Sequence, residues 1–347
     1  MNVSSFSRYA LSVCGAAAML IGCGGSAAPS VQAATDLHQT SCPPCLYVAN
    51  YGADGGNSIT VYPVRTTGNV TPIQYLNGSH TQLCNPDDVA VDSSNNMYVA
   101  NICARTGHYS ITVYAAGATG NTAPTAVISG SNTGLNEPEG IALDPVNGDI
   151  YVANSNGGPS DRGTVTIYAP GSNGNVAPIG TIAGAATGLD GPGGLTLDQN
   201  GNIYVPNVAG GGSPNNSVTI YAAATVGNVA PTRTIRGSDT KLYAPKQVAL
   251  DSSSNIYVAN DHLAKSTITV YAAGANGNVA PIGRISAKKT DQENTDGVAL
   301  DASGIVYAAS FSGNDITMYS VDTETGIAKT LGDMYKEVHM PVGLAIR

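Results

Sequence analysis

Short apolar phrases recur at a nearly constant spacing along most of this 347-residue chain. Within each phrase apolar and polar positions alternate, and glycine, asparagine or proline bounds it, which is typical of a short β-strand between turns. The phrase "IYVAN" and its variants place a tyrosine at Tyr47, Tyr98, Tyr151, Tyr204, Tyr257 and Tyr307, at steps of 51, 53, 53, 53 and 50 residues. An internal repeat therefore organises the chain.

Each repeat holds three further predicted strands. A second phrase resembling "SITVY" (58–62) follows the first, the turn "GNVAP" leads into another short strand, and a phrase resembling "GIALD" (140–144) precedes the next "IYVAN". Four strands cannot bury both of their faces alone, so neighbouring repeats must pack against each other. Four-stranded antiparallel sheets that repeat radially form a β-propeller, and a stacked solenoid is the competing arrangement.

The two ends of the chain distinguish a ring from a solenoid. The first repeat begins at its "YVAN" strand and lacks the strand before it, whereas a matching phrase, "PVGLAIR", occupies residues 341–347. A ring needs this last strand to complete its first blade, and a solenoid does not. The sequence therefore predicts an all-β, six-bladed β-propeller over residues 45–347, with four antiparallel strands per blade and blade 1 closed by strand 341–347.

These phrases also resemble a known family. The pattern P-x-G-[IVL]-A-L-D followed by IYVAN resembles the NHL-type repeat over residues 45–347. The kelch and WD40 repeats fit less well, since the chain has no tryptophan to form a WD pair. The resemblance implies a propeller, but NHL-type propellers serve as protein-binding, sugar-binding and enzymatic scaffolds, so it leaves function open.

Composition excludes one class of partner. Charged residues make up only 11% of the chain, the formal net charge is −9, and no basic run occurs. Because a nucleic-acid backbone is bound by clustered lysine and arginine, we expect no nucleic-acid partner.

The N-terminus predicts export. Residues 1–22 contain one arginine before an apolar run that is too short to span a membrane, which is typical of a signal peptide. The run ends in "LIGC" (20–23), which resembles the lipobox of bacterial lipoproteins and would make Cys23 the lipidated first residue of a protein anchored at the cell envelope. By the same resemblance, Gly24 favours the outer membrane. Residues 23–44 are expected to form a flexible tether. The alternative is cleavage after Ala33 and release of a soluble protein.

The predicted loops suggest where a site would lie. All length variation between repeats falls between the "IYVAN" and "SITVY" strands, and variable loops on a rigid scaffold commonly bind ligands. At the start of each innermost strand, where the central channel opens, stand Asp87, Glu139, Gly193, Lys246, Asp296 and Val342. The charged members, Asp87, Glu139, Lys246 and Asp296, form a candidate ligand-binding funnel. A solvated channel entrance without a ligand is the alternative.

Four cysteines follow the lipobox. Cys84 lies in a loop before an innermost strand and Cys103 lies just after the next strand of the same blade, so both belong to one face, and a Cys84–Cys103 disulfide is predicted. Cys42 and Cys45 then either pair locally or stay reduced.

The leading functional hypothesis is a monomeric cell-envelope lipoprotein that binds an envelope protein, a glycan or another surface ligand through its variable loop face, without a cofactor. It touches the membrane only through its lipid. The alternative is a metal-dependent hydrolase or lyase, similar to lactonase or streptogramin-lyase propellers, that acts at the channel mouth with Asp87, Glu139 and Asp296 as ligands of a divalent cation. A purely structural envelope protein is a third possibility.

Overall fold

The computed structural model describes residues 44–52, 56–103, 108–159, 161–208, 216–261, 266–286, 294–322 and 325–347. Within these ranges the chain forms six four-stranded antiparallel sheets, which are the six blades of a β-propeller. Blade 1 combines the two ends of the chain, as the sequence predicted: β24 (Pro341–Ile346) pairs with β1 (Cys45–Asn50), which is followed by β2 (Ser58–Pro63) and β3 (Gln74–Asn77).

The other five blades follow in chain order, each from its innermost to its outermost strand. Blade 2 contains β4 (Pro86–Val91), β5 (Met97–Cys103), β6 (His108–Tyr114) and β7 (Ala126–Ser129). Blade 3 contains β8 (Pro138–Leu143), β9 (Ile150–Asn154), β10 (Thr164–Tyr168) and β11 (Gly180–Ile182). Blade 4 contains β12 (Thr196–Leu197), β13 (Ile203–Asn207), β14 (Ser217–Tyr221) and β15 (Arg233–Arg236). Blade 5 contains β16 (Pro245–Leu250), β17 (Ile256–Asn260), β18 (Thr267–Tyr271) and β19 (Gly283–Ser286). Blade 6 contains β20 (Thr295–Leu300), β21 (Ile305–Ser310), β22 (Asp315–Asp322) and β23 (Ile327–Met334). One 3-10 turn (Ser79–Thr81) joins blades 1 and 2.

The hydrophobic core lies between blades. Among the described residues, six buried clusters each combine side chains of two neighbouring sheets. Ile111 of blade 2 packs with Val152 of blade 3, for example, and Leu46 of blade 1 packs with Met318 of blade 6. This last cluster closes the ring. Successive side chains of one strand thus pack into two different clusters, as Ile150 and Tyr151 do, because each sheet buries both faces against its neighbours.

The recurring Gly-Asn pair of the "GNVAP" phrase links successive blades. The amide of Gly120 donates to the carbonyl of Tyr75 at 2.7 Å, and Asn121 Oδ1 accepts from the amide of His80 at 2.7 Å. Gly120 has a φ of 62°, a conformation that glycine adopts without strain. The turn of blade 2 therefore holds the outer strand and following loop of blade 1, and Gly174, Gly227 and Gly277 repeat the contact around the ring.

Blade 4 departs from the repeat at its innermost strand. The phrase at 194–198 predicts a full strand, but β12 has only two residues. The two consecutive glycines before it have no side chains to pack, which weakens strand pairing. Gly194 instead bonds sideways to blade 5, where its amide donates to the carbonyl of Lys246 at 2.7 Å and its carbonyl accepts from the amide of Val248 at 3.2 Å.

Candidate functional site

One face of the propeller carries both the loops that precede the innermost strands and the loops that join the second and third strands. The Cys84–Cys103 disulfide demonstrates this arrangement, because it connects the loop before β4 with the end of β5, where the loop to β6 begins, at a Cα–Cα distance of 5.3 Å. The amide of Ile102 also donates to the carbonyl of Asn85 at 3.0 Å. The predicted disulfide is confirmed, and we call this side of the molecule the loop face.

The repeated asparagines at the end of the second strands hold this face together. Asn101 is fully buried, and its Nδ2 donates to the carbonyl of Val99 at 3.1 Å and to Thr112 Oγ1 at 3.0 Å. Its Oδ1 accepts from the amide of Cys84 at 3.1 Å. An aspartate could not donate these bonds. The amide therefore ties two strands to a loop, and Asn50, Asn154, Asn207 and Asn260 accept an equivalent loop amide in their own blades.

The four charged residues that the sequence placed at the channel mouth surround a single cavity of about 360 Å³, which we call the mouth cavity. They come from four different blades, and each is the second residue of an innermost strand, in β4, β8, β16 or β20. The Lys246 ammonium lies 4.0 Å from a carboxylate oxygen of Glu139, and both side chains are partly exposed. Tyr51, Glu137 and Phe311 also line this cavity. The structure thus brings Asp87, Glu139, Lys246 and Asp296 together around one opening.

A pair of side chains forms the floor of the mouth cavity. Gln247 Nε2 donates to Asp88 Oδ1 at 3.0 Å, across the channel from blade 5 to blade 2. The amide of Ile141 in blade 3 donates to Asp88 Oδ2 at 3.0 Å, and the amide of Val298 in blade 6 donates to Gln247 Oε1 at 2.7 Å. This cross-channel pair, Asp88 and Gln247, therefore links four blades. On its other side lies a separate cavity of about 240 Å³ between the inner strands.

The sequence analysis missed the cross-channel pair, although a signal was present. At the corresponding position the other four blades have glycine, namely Gly140, Gly194, Gly297 and Gly343. A Cβ on Gly140 would lie 2.6 Å from the carbonyl oxygen of Gly193, and one on Gly194 would lie 2.8 Å from Cγ of Gln247. The channel has room for only two long side chains, so a position with four glycines and two polar residues marks its constriction.

Burial and mutual repulsion shift the titration of the mouth carboxyls. Desolvation is the main cause that raises the pKa of Asp87 well above its usual value, and the Glu139 carboxylate adds to it. Desolvation likewise raises the pKa of Asp296 to about 7, against the opposing attraction of Lys246. The neighbouring Glu139 carboxylate raises the pKa of Lys246 above its usual range, so the ammonium stays charged. Burial therefore opposes the ionisation of Asp87 and Asp296, while the Lys246 ammonium stays charged beside them.

Two further features of the mouth cavity bear on what it could bind. Asp296 Oδ1 is buried and accepts no hydrogen bond from any described residue. Buried acceptors are nearly always paired with a protein group, a water molecule or an ion, so this oxygen can accept from a group that enters the cavity. The rings of Tyr51 and Phe311 stand beside the acids with centroids 6.0 Å apart and planes tilted by 58°.

Several predictions fall on other parts of the chain. The signal peptide (1–22), Cys23, Cys42 and residues 23–43 of the tether lie outside the described residues. Among the residues that are described, no group of three or more His, Cys, Asp or Glu side chains is arranged to hold a metal ion. Nowhere in the described ranges does a helix have both the length and the apolar character that crossing a membrane requires.

Comparison with known proteins supports the fold alone. No family model matches the sequence, and no curated protein matches it. Among solved structures, a chain of a nidogen/laminin complex is similar with a TM-score of 0.59 and 15% identity over 88% of this chain and 98% of that chain. The periplasmic gluconolactonase of Pseudomonas aeruginosa is similar with a TM-score of 0.58 and 14% identity, over 87% of this chain and 98% of that chain. A protein of unknown function from Bacteroides caccae is similar with a TM-score of 0.57 and 14% identity, over 88% of this chain and 98% of that chain.

Proposed function

We propose that this chain is a binding propeller that holds a protein partner on its loop face, with a cationic side chain of the partner in the mouth cavity. The observation that carries this proposal is the buried, unpaired Oδ1 of Asp296, which needs a hydrogen-bond donor. An ammonium or guanidinium group supplies the donor and the positive charge together. The similar propeller of a nidogen/laminin complex supports a protein ligand, since that chain occurs in a protein complex.

The charge around the cavity favours a cation over a neutral ligand. Against the single ammonium of Lys246 stand five carboxyl groups, those of Asp87, Asp88, Glu137, Glu139 and Asp296. A second cation would lower the pKa of Asp296 and recover part of the desolvation cost. Tyr51 and Phe311 also line the cavity, and aromatic rings attract cations that approach their faces.

A thermal-shift titration tests this binding. The probes are a capped peptide with one central lysine and the same peptide with that lysine acetylated. We expect the lysine peptide to raise Tm in a saturable way, because a ligand at about one hundred times its dissociation constant stabilises a protein by roughly 2.7 kcal/mol. Asp296→Asn should weaken the response. Equal responses to both peptides, or none to either, would contradict the proposal.

The cellular setting is part of the same proposal. The domain plan is a lipoprotein signal peptide at 1–22, a flexible tether at 23–44 and an NHL-type propeller at 45–347. A lipid on Cys23 would tether the propeller to a membrane surface, and two or more acyl chains anchor a protein stably. Labelling with a clickable palmitate analogue should mark the wild-type chain and not Cys23→Ser. Equal labelling of both, or none, would refute the anchor.

A hydrolase or lyase acting at the channel mouth is the second candidate. It is favoured by the Asp296 carboxyl, whose pKa of about 7 beside Lys246 suits proton transfer at neutral pH. The gluconolactonase with a similar fold gives a reason to try lactones. In the metal-dependent form, Asp87, Glu139 and Asp296 would have to move together to bind a divalent cation. Thermal shifts with Ca²⁺, Mg²⁺, Mn²⁺ and Zn²⁺ against EDTA test it, because a shift lost in Glu139→Ala would support this candidate.

A further inference from the structure

The mouth cavity does not stand alone on the loop face. A second cavity of about 280 Å³ shares Glu139 and Lys246 with it. A third, of about 550 Å³, shares Arg162 and Asp190 with the second and extends to Arg236. Since adjacent cavities share their boundary residues, the three lie in a row. We call this row, from the mouth cavity outward to Arg236 on strand β15, the radial groove.

The charge along the radial groove changes sign from its inner to its outer end. The inner end carries the mouth carboxyls, and the Lys246–Glu139 pair stands at its boundary. Farther out, Arg162 Nη1 lies 3.3 Å from Asp190 Oδ2, so these two charges largely offset each other. At the outer end Arg236 is exposed and has no acidic partner within 4.0 Å among the described residues. A ligand that fills the groove therefore meets negative potential first and positive potential last.

The outer part of the groove has the space that a peptide backbone needs. Its walls include Gly184, Ala185 and Gly188, which project little or no side chain into it. Ser217 and Thr219 also line this cavity, but both are buried, and the Thr219 hydroxyl already accepts from Asn207 and donates to the carbonyl of Val205. Such a surface accepts an extended chain and selects it by charge at the two ends.

We infer that the radial groove binds an extended peptide segment of the partner, with a basic residue in the mouth cavity and an acidic residue farther along the segment opposite Arg236. This inference rests on the proposed function, since the same cavity receives the basic residue. It adds the class of ligand, the direction in which it lies and the residue that selects its outer end.

Selection from a phage-displayed library of random twelve-residue peptides tests the inference on the full chain. Wild type should enrich peptides that combine one basic position with an acidic position at a fixed distance from it. The charge reversal Arg236→Glu should replace the acidic preference with a basic one and weaken the wild-type peptides at least about tenfold, because like charges in contact repel. Arg284→Glu, on the outer strand β19 of blade 5, is the matched control. It should leave the acidic preference and the affinity for the wild-type peptides unchanged.

The outcomes separate this inference from the proposal on which it rests. Enrichment of the basic position alone, or an acidic preference that survives Arg236→Glu, would overturn the radial groove and leave the cationic site intact. Failure to enrich any peptide, together with a Tm increase from chito-oligosaccharides, would replace the peptide with a cationic glycan. Failure with peptides and glycans alike, and no response to the lysine peptide, would overturn both.

Discussion

Replacing Lys246 with methionine removes the only cation that lines the mouth cavity among the described residues while nearly preserving side-chain volume. At a separation of 4.0 Å and an effective dielectric constant of about 20, the attraction between Lys246 and Glu139 is about 4 kcal/mol. The two side chains are 32% and 23% exposed, so solvent reduces the loss to about 1 kcal/mol. That loss is the expected effect of Lys246→Met at pH 5.

The effect should be larger at pH 8. Desolvation raises the folded-state pKa of Asp296 to about 7, above its unfolded value, so its ionisation costs stability as the pH rises through 7. Lys246 lowers the pKa of both Asp87 and Asp296 and thereby limits this cost. Without the ammonium, ionised carboxyls face each other unshielded. We expect a total loss of about 3 kcal/mol at pH 8.

Urea denaturation of wild type and Lys246→Met at the two pH values measures both losses. Lys329→Met, at an exposed position of the outer strand β23, is the control and should change the free energy of unfolding by less than about 0.5 kcal/mol. Equal losses for Lys246→Met at pH 5 and pH 8 would refute the electrostatic description of the cavity. A loss no larger than that of the control would do the same.

Three further predictions concern the scaffold. Reduction of the Cys84–Cys103 disulfide should lower the free energy of unfolding by about 3 kcal/mol, since the bridge joins residues separated by 19 positions. Thermal scans with and without reductant measure this loss, and identical scans would show that the bridge is absent. Asn154→Asp should lower the free energy of unfolding by about 2 kcal/mol or more, because it buries a carboxylate among hydrogen-bond acceptors. The loss should be greater at pH 8 than at pH 4, and denaturation curves without this pH dependence would contradict the prediction. Gly140→Ala should cost about 1–3 kcal/mol through its clash with the backbone of residues 193–195 in blade 4. Gly56→Ala is the control, because its Cβ would have no neighbour closer than 3.9 Å and its φ is not positive; it should cost less, and equal Tm losses would count against a tight channel.

Much of the fold was predictable because the same strand and turn patterns recur in each repeat. The apolar run in "IYVAN" corresponds to a strand that is buried on both faces, and the "PVGLAIR" phrase at the C-terminus corresponds to the closing strand. The prediction failed only locally, at β12, where two glycines turned the backbone toward blade 5. A periodic sequence pattern cannot predict a main-chain hydrogen bond between the innermost strands of two blades, since that bond depends on how the blades pack.

The candidate site was only partly predictable. Comparison of equivalent positions identified Asp87, Glu139, Lys246 and Asp296, because they vary where the surrounding phrase is constant. The same comparison at the next position would have revealed Asp88 and Gln247, whose contact depends on the narrow channel.

Local strand patterns and their order along the chain were enough to predict the number of blades, the way the ring closes and the disulfide. The folded molecule was needed to show which polar groups meet across the channel, which carboxyl oxygen lacks a partner among the described residues and how the cavities line up toward Arg236. These properties depend on distances between residues of different blades, and desolvation and charge interactions change steeply with such distances.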